Sequence, residues 1–346
     1  MKKRYIVFII ISFCNLFGQN NFHNIDSVAI STKYTRNLNE LVNELTENLK
    51  SDIDKTRSIY SWITENISYD YKTFNKGKQK KIIKCKNDLN CIVKKQKIEN
   101  QLIKKVLRKK KAICSGYSLL FKKMCEIANL QCLNITGYIK TKPHHIGRKG
   151  VLDHAWNGII IDNQTYFLDL TWASGYCETD QKGKLSKFIK QKNDFYWFTP
   201  VEKFTIDHFP QHPEKIFNFN ISENQYKNQP YIEKSIIPFL EIEYPKQGII
   251  YCKIGDTINF KIKCINPIQK LQINTNIKRN PKFYFVEKNG AKTINQKAFE
   301  KQEYIDFEKQ NEVYNFSYFI KNEKLKYIEI IFDYNLKLKY LIKMSQ

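Results

Sequence analysis

A run of apolar residues at helical spacing begins directly after Cys114. Tyr117, Leu120, Phe121, Met124, Ile127 and Ala128 recur at i, i+3, i+4, i+7, i+10 and i+11, which is one buried helix face. No other feature constrains the chain as much, because it puts a cysteine at the N-terminal rim of a half-buried helix. Cys114 and Ser115 stand where capping residues belong, and Asn129 stands where a left-handed stop is expected. Gly116 leaves out a side chain where a substrate carbonyl would approach. A helix N-terminus carries positive potential, which favours the thiolate, and the thiolate is the attacking form of cysteine.

A hairpin follows. Leu152–Ile161 and Thr165–Leu170 read as strands, and Asp162-Asn163 reads as the turn between them. A two-residue loop places His154 opposite Thr171, with Asp169 diagonal to it on the same face, while Asp153 points to the other face. A three-residue loop would reverse that parity. With the shorter loop, Cys114, His154 and Asp169 supply a nucleophile, a base and a group that orients the base.

These segments carry a resemblance. Ala-Ile-Cys114-Ser-Gly-Tyr117, Asp153-His154-Ala-Trp156-Asn157 and Leu168-Asp169-Leu-Thr-Trp172 resemble the three blocks of the transglutaminase-like superfamily. Within it the chain is most similar to the branch of kyphoscoliosis peptidase and its bacterial relatives. Two flanking blocks agree: Trp62-Ile-Thr-Glu-Asn-Ile-Ser-Tyr69-Asp70 before the cysteine, and Phe195-Tyr-Trp-Phe-Thr-Pro200 with Asp207-His208-Phe-Pro210 after the aspartate. The likeness spans about residues 37–215. Ala112 stands where the family often has glycine. The resemblance implies an α+β, papain-like catalytic domain and acyl transfer from protein or peptide amides through a Cys114 thioester. It also favours Trp156 and Trp172 at the rim of the substrate cleft, with core positions as the alternative, and Gly116 and Tyr117 are assigned to the same cleft. His208 is expected in a structural role, with the base as its alternative role.

The remainder of the chain is arranged around this core. Residues 1–19 read as a signal peptide, with Lys2, Lys3 and Arg4 ahead of an apolar stretch, so an exported protein is expected. Leu38, Leu41, Val42, Leu45 and Leu49 form one helical stripe, and Ser51 to Asp54 opens a second helix through Trp62, read as a core aromatic. Residues 20–221 are assigned to the catalytic domain and 222–346 to an accessory domain. The latter is all-β and sandwich-like, because short β-like runs recur there between Gly, Asn and Pro.

Residues 72–111 hold sixteen Lys or Arg against Asp88 and Glu99. They are read as a solvated basic insertion, with contact to an acidic polymer or surface as the functional alternative. Aromatic residues are not interleaved with these lysines, which argues against a nucleic-acid platform. The whole chain is basic too, with a formal charge of +24. The cysteine spacings do not match paired zinc ligands, so no metal is assigned, and acyl transfer of this kind needs no cofactor. In an exported chain, Cys85–Cys91, Cys125–Cys132 and Cys252–Cys264 are the local pairs expected as disulfides, with Cys125 as a buried thiol the alternative.

The expected function is therefore that of a cysteine-dependent acyl-transfer enzyme. A water acceptor makes it a protease or amidase, and an amine acceptor makes it a transglutaminase. A non-catalytic scaffold of the same fold is the competing class.

Overall fold

The computed structural model describes residues 22–77, 87–180, 182–286 and 292–345. It is a mixed α+β chain with extensive sheets in its second half. The leader segment, Cys14 and Cys85 lie outside the described residues.

The two expected helices form at Leu38–Thr46 and Asp52–Asn66. The Asn37 side chain caps the first by accepting from the N–H groups of Asn39 and Glu40, and Ser51 Oγ caps the second by accepting from Asp54 N at 3.0 Å. Trp62 is buried, and its indole N–H donates to the Thr32 carbonyl at 2.9 Å. A further helix, His23–Ser31, has no apolar stripe to announce it. It is anchored by buried Arg57, which donates to both oxygens of Asp26 at 2.8 and 2.7 Å and to Asp194 at 2.9 Å. The rings of Phe22, Tyr60 and Trp197 surround the guanidinium.

The basic segment departs from the expectation of a solvated insertion. Asp88–Lys109 is a 22-residue helix, capped by Asn87 and ended by Lys110 in the left-handed conformation. Its first turns expose Leu89, Ile92 and Val93, but Ile103, Val106 and Leu107 enter the main core. Apolar residues at helical spacing in its last turns were masked by the lysines between them.

The Cys114–Ile127 helix packs against a four-stranded antiparallel sheet. Gln131–Ile139 lies between Val151–Ile161 and the short strand His208–Pro210, and Gln164–Leu168 forms the outer edge. The hairpin turn has two residues, as the favoured reading required. Asp162 and Asn163 both have positive φ, 49° and 59°, which suits Asp and Asn. Asn129 ends the helix at φ 59°.

The second half forms two facing sheets around their own core. One runs Leu240–Tyr244, Thr257–Cys264, Val313–Phe319, Glu308–Gln310. The other runs Ile249–Cys252, Asn335–Met344, Tyr327–Phe332, Leu271–Thr275. Strict alternation in Thr257–Cys264, with Ile258, Phe260, Ile262 and Cys264 inward, is what lets a strand bury one face. The chain beyond Ser222 stays on the first layer for another turn: Tyr226 stacks on Phe209 at 4.9 Å, and the Lys140 ammonium donates to the carbonyls of Tyr226, Lys227 and Gln229.

Two of the expected cysteine pairings do not form. Cys125, Cys132, Cys252 and Cys264 are free thiols, and Cys125 is a buried thiol hydrogen-bonded with Cys132. Cys252 and Cys264 sit on strands of different sheets. Cys91 is disulfide-bonded.

Gly116 packs on its neighbours and not on the cleft. A Cβ there would lie 2.8 Å from Ala112 Cβ and 3.0 Å from Val106 Cγ2. Overpacking of a fixed wall costs about 1–3 kcal/mol, against roughly 1 kcal/mol gained in helix propensity. Gly116→Ala is therefore expected to lower stability by about 1–2 kcal/mol in urea denaturation, and the Val106→Ala/Gly116→Ala double variant to recover part of the loss. Equal stability of wild type and Gly116→Ala would show that the contact is not tight.

Candidate active site

Cys114 is the first residue of its helix, with Ile113 as the N-cap and no side-chain cap bond. The capping role expected of Cys114 and Ser115 is thus not used, because the helix begins one residue earlier in the chain than a Cys or Ser cap would require. A short parallel pairing fixes the approach to it: Ser68 lies opposite Lys111, and Tyr69 opposite Ala112. The thiol is buried, and its Sγ donates to the Asp153 carbonyl at 3.9 Å. Two contacts hold the helix in place against its surroundings. Tyr117 OH donates to the Ile67 carbonyl at 2.7 Å, and Asn157 Nδ2 donates to the carbonyls of Ser118 and Leu133, each at 3.1 Å.

His154 comes from Val151–Ile161, opposite Gly137. Only glycine fits at 137: a Cβ there would stand 2.2 Å from the Phe209 carbonyl oxygen and 2.3 Å from the Trp156 ring. Strand pairing on the other side of His154 stops at Asn157 opposite Leu168. The ladder that would have put Asp169 diagonal to His154 therefore ends one residue short. Asp169 instead caps the short helix Leu170–Ala173, with Oδ1 accepting from the N–H groups of Thr171 at 2.8 Å and Trp172 at 3.1 Å. The contact survives this change. His154 Nε2 lies 2.7 Å from Asp169 Oδ2, which leaves the other ring nitrogen for Cys114.

The electrostatics follow from burial and pairing. Burial disfavours a charged imidazole, but the Asp169 carboxylate and the hydrogen bond to Cys114 outweigh it and raise the His154 pKa to about 10. Asp169 is fully buried, which alone would raise its pKa, yet His154 and then His208 hold it well below the usual carboxylate range. His208 Nε2 is 3.3 Å from the same Asp169 oxygen, and its Nδ1 is 2.6 Å from Asp207. His154, Asp169 and His208 bring one ligand atom each within 4.8 Å of the others, a closeness that these hydrogen bonds account for.

A cleft of roughly 330 Å³ opens above Cys114 and His154. Trp172 lines it, as expected, and stacks on His154 at 4.9 Å. Gly116, Tyr117 and Trp156 do not border it. All three are buried, and Trp156 packs edge-on against Phe204 and His208. The cleft rim predicted for Trp156 is corrected to the core, because its strand turns it under the sheet beside Gly137. Sequence reasoning missed the remaining walls: Tyr69, Phe74, Tyr176, Leu185, Phe188 and Lys234. Only Tyr69 lay in a motif. The others lie far from Cys114 in the sequence and are gathered by the short helix Tyr71–Asn75, by the hairpin of Gly175–Thr179 with Leu185–Lys190 and by the segment after Tyr231.

The charged pair gives a pH prediction. An imidazole with a raised pKa contributes stability that is complete below its unfolded value of about 6.5 and is lost as pH rises through about 10. The depressed Asp169 carboxylate contributes above its unfolded value of about 3.9 and loses that contribution as pH falls below it. The stability gap between wild type and Asp169→Asn is therefore expected to be largest near neutral pH and to shrink toward alkaline pH, read from urea midpoints. A gap unchanged up to about pH 11 would show that the pair is not ionic.

Comparison with known proteins places this geometry. Residues 39–170 match the model of the transglutaminase-like superfamily. Mouse (Mus musculus) kyphoscoliosis peptidase is 31% identical over 215 residues, 61% of this chain and 29% of that protein. The human (Homo sapiens) protein of the same name is 29% identical over 228 residues, 62% of this chain and 30% of that protein. The Caenorhabditis elegans Lim and transglutaminase domain protein ltd-1 is 25% identical over 261 residues, 66% of this chain and 33% of that protein. The match thus spans about a third or less of each of these relatives. Over residues 39–170 the chain is thus similar to the transglutaminase-like superfamily.

Proposed function

We propose that this protein transfers the acyl group of a protein or peptide amide through a thioester on Cys114, with water as the usual acceptor. One observation carries the reading: Cys114 and His154 line one cleft and are linked by a hydrogen bond, and Asp169, buried behind them, lies 2.7 Å from His154. In this reading the Cys114 sulfur attacks the amide carbonyl carbon. His154 gives its proton to the leaving amine nitrogen as the C–N bond breaks. Water then attacks the thioester, His154 takes a proton from it, and the acid leaves as the thiol is restored. Asp169 fixes the ring orientation and stabilises the imidazolium. The positive end of the Cys114–Ile127 helix lies where the oxyanion develops.

Hydrolysis over amine transfer is supported by the name of the kyphoscoliosis peptidases, which assigns peptidase activity to those proteins. Export through the leader at residues 1–19 is part of the same proposal, and so is contact of the basic helix with an acidic surface. N-terminal sequencing of the mature protein tests the first. An intact Met1 in the cytoplasm would sink it.

The catalytic reading is tested on Cys114 itself. Cys114→Ala is expected to abolish labelling by iodoacetamide in the cleft without loss of the folding transition. His154→Ala is expected to move the pH profile of Cys114 alkylation upward, toward the ordinary thiol value of about 8.5, and to slow alkylation near pH 6 by at least about tenfold. Coincident profiles in wild type and His154→Ala would mean that no activated pair exists.

A further inference from the structure

The cleft wall beside the imidazole is completed by a residue from the segment that enters the β-sandwich. Lys234 follows Tyr231–Ile232, which pairs with the strand Asn335–Met344. Its ammonium stands 3.3 Å from the centroid of Trp172 and 5.1 Å from that of Tyr196. Trp172 is the ring that stacks on His154, and Lys234 lines the same cleft as Cys114 and His154.

Other buried or half-buried lysines of the chain use their donors. Lys140 spends its ammonium on three main-chain carbonyls, and Lys190 donates to those of Thr64 and Ile67. Lys234 has aromatic faces and, among the described residues, no hydrogen-bond or ion-pair partner. Burial lowers its pKa to about 8, against the attraction of Asp207, Asp169 and Glu233, so it is a cation at neutral pH. A desolvated ammonium with unspent donors is costly to keep, and the cost falls when an anion enters beside it. Thr171 lines the same wall, and its buried hydroxyl has no hydrogen-bond partner among the described residues.

We propose that Lys234 and Thr171 form a subsite for a carboxylate carried on the leaving-amine side of the scissile amide. The side follows from the acyl-transfer reading, on which this inference rests. His154 must reach the leaving nitrogen, so the leaving group lies over the imidazole, where Trp172 and Lys234 stand. The class follows from the walls. Away from His154 and Asp153, the walls hold one cation, Lys234, among Tyr69, Phe74, Leu185 and Phe188, which suits a single negative charge on an otherwise apolar group better than a phosphate. Such a carboxylate can be a peptide's C-terminus or an acidic side chain of the first residue after the cut.

The test compares alkylation of Cys114 in the full chain by iodoacetate, which is anionic, and iodoacetamide, which is neutral, at pH 6.5. Wild type, Lys234→Met, Lys234→Arg and Lys246→Met are used, the last removing one exposed charge elsewhere. The iodoacetate-to-iodoacetamide rate ratio is expected to fall by about fivefold or more in Lys234→Met, to stay near wild type in Lys234→Arg, and to change little in Lys246→Met. The iodoacetamide rate, insensitive to the charge, reports that the cleft is intact in each variant. A ratio unchanged in Lys234→Met, or lowered equally in Lys246→Met, overturns the subsite. Protection of Cys114 from iodoacetamide then separates the two sources. L-phenylalanine presents a terminal carboxylate, aspartyl-phenylalaninamide presents one on a side chain, and phenylalaninamide is the control that lacks a carboxylate. Failure of all three to protect differentially would overturn the assignment to the leaving side. Failure of the catalytic reading shows separately, in the wild-type iodoacetamide pH profile, and leaves the charge ratio measurable.

Discussion

A single buried carboxylate organises the transglutaminase-like half of this protein. Asp169 accepts four hydrogen bonds: two from the main chain of the turn it caps, one from His154 and one from His208. An ion moved out of water with no partners costs several kcal/mol, and a carboxyl in that position would simply take up a proton. Asp169 stays ionised because its partners outweigh its burial. Each partner comes from a different element, so the requirement to satisfy one charge fixes a strand end, a short helix and the edge strand His208–Pro210 relative to one another. The imidazole that faces Cys114 is oriented by the same requirement.

Cys114 is positioned by main-chain contacts more than by shape. Gly137 lets the His208–Pro210 strand and the Trp156 ring close on the sheet, and Asn157 ties the sheet to the middle of the Cys114 helix through Ser118 and Leu133. Tyr117 ties the same helix to Ile67, whose carbonyl also takes a donor from Lys190. The motif residues around the cysteine and the histidine are thus largely scaffold. Within the Asp-His-Ala-Trp-Asn stretch, His154 and Asp153 border the cleft, while Trp156 and Asn157 hold the sheet together beneath it.

The excess of lysine has structural uses that net charge alone does not suggest. Lys140, Lys190 and Lys203 bury their stems and donate to carbonyls at the ends of chain segments, where helices and turns leave acceptors unpaired. Lys140 and Lys203 bond the catalytic layer to the segments that follow it, at Tyr226–Gln229 and at Ile237 with Leu240. The two halves therefore share polar contacts as well as a chain, and a residue from the second reaches the cleft of the first.

What the sequence determined by itself was whatever depends on local periodicity or on a fixed short spacing. The helix behind Cys114 and the two-residue turn at Asp162-Asn163 are set by neighbours a few residues apart, and each formed as read; the alternation in Thr257–Cys264 is equally local. The pairing of His154 with Asp169 was read from the tight turn between them, but it is made from the cap of Leu170–Ala173 once the strand ladder has ended at Leu168. The tertiary structure alone decided which aromatic faces the cleft, because Trp156 and Trp172 look alike in sequence and differ only in what the sheet puts beneath them. It alone decided that lysine-rich Asp88–Lys109 buries its last turns, that Arg57 reaches Asp26 and Asp194, and that Lys234 lies on Trp172. These contacts join residues tens to more than a hundred positions apart. Their energy depends on burial and on the absence of competing water, and neither is a property of any window of the chain.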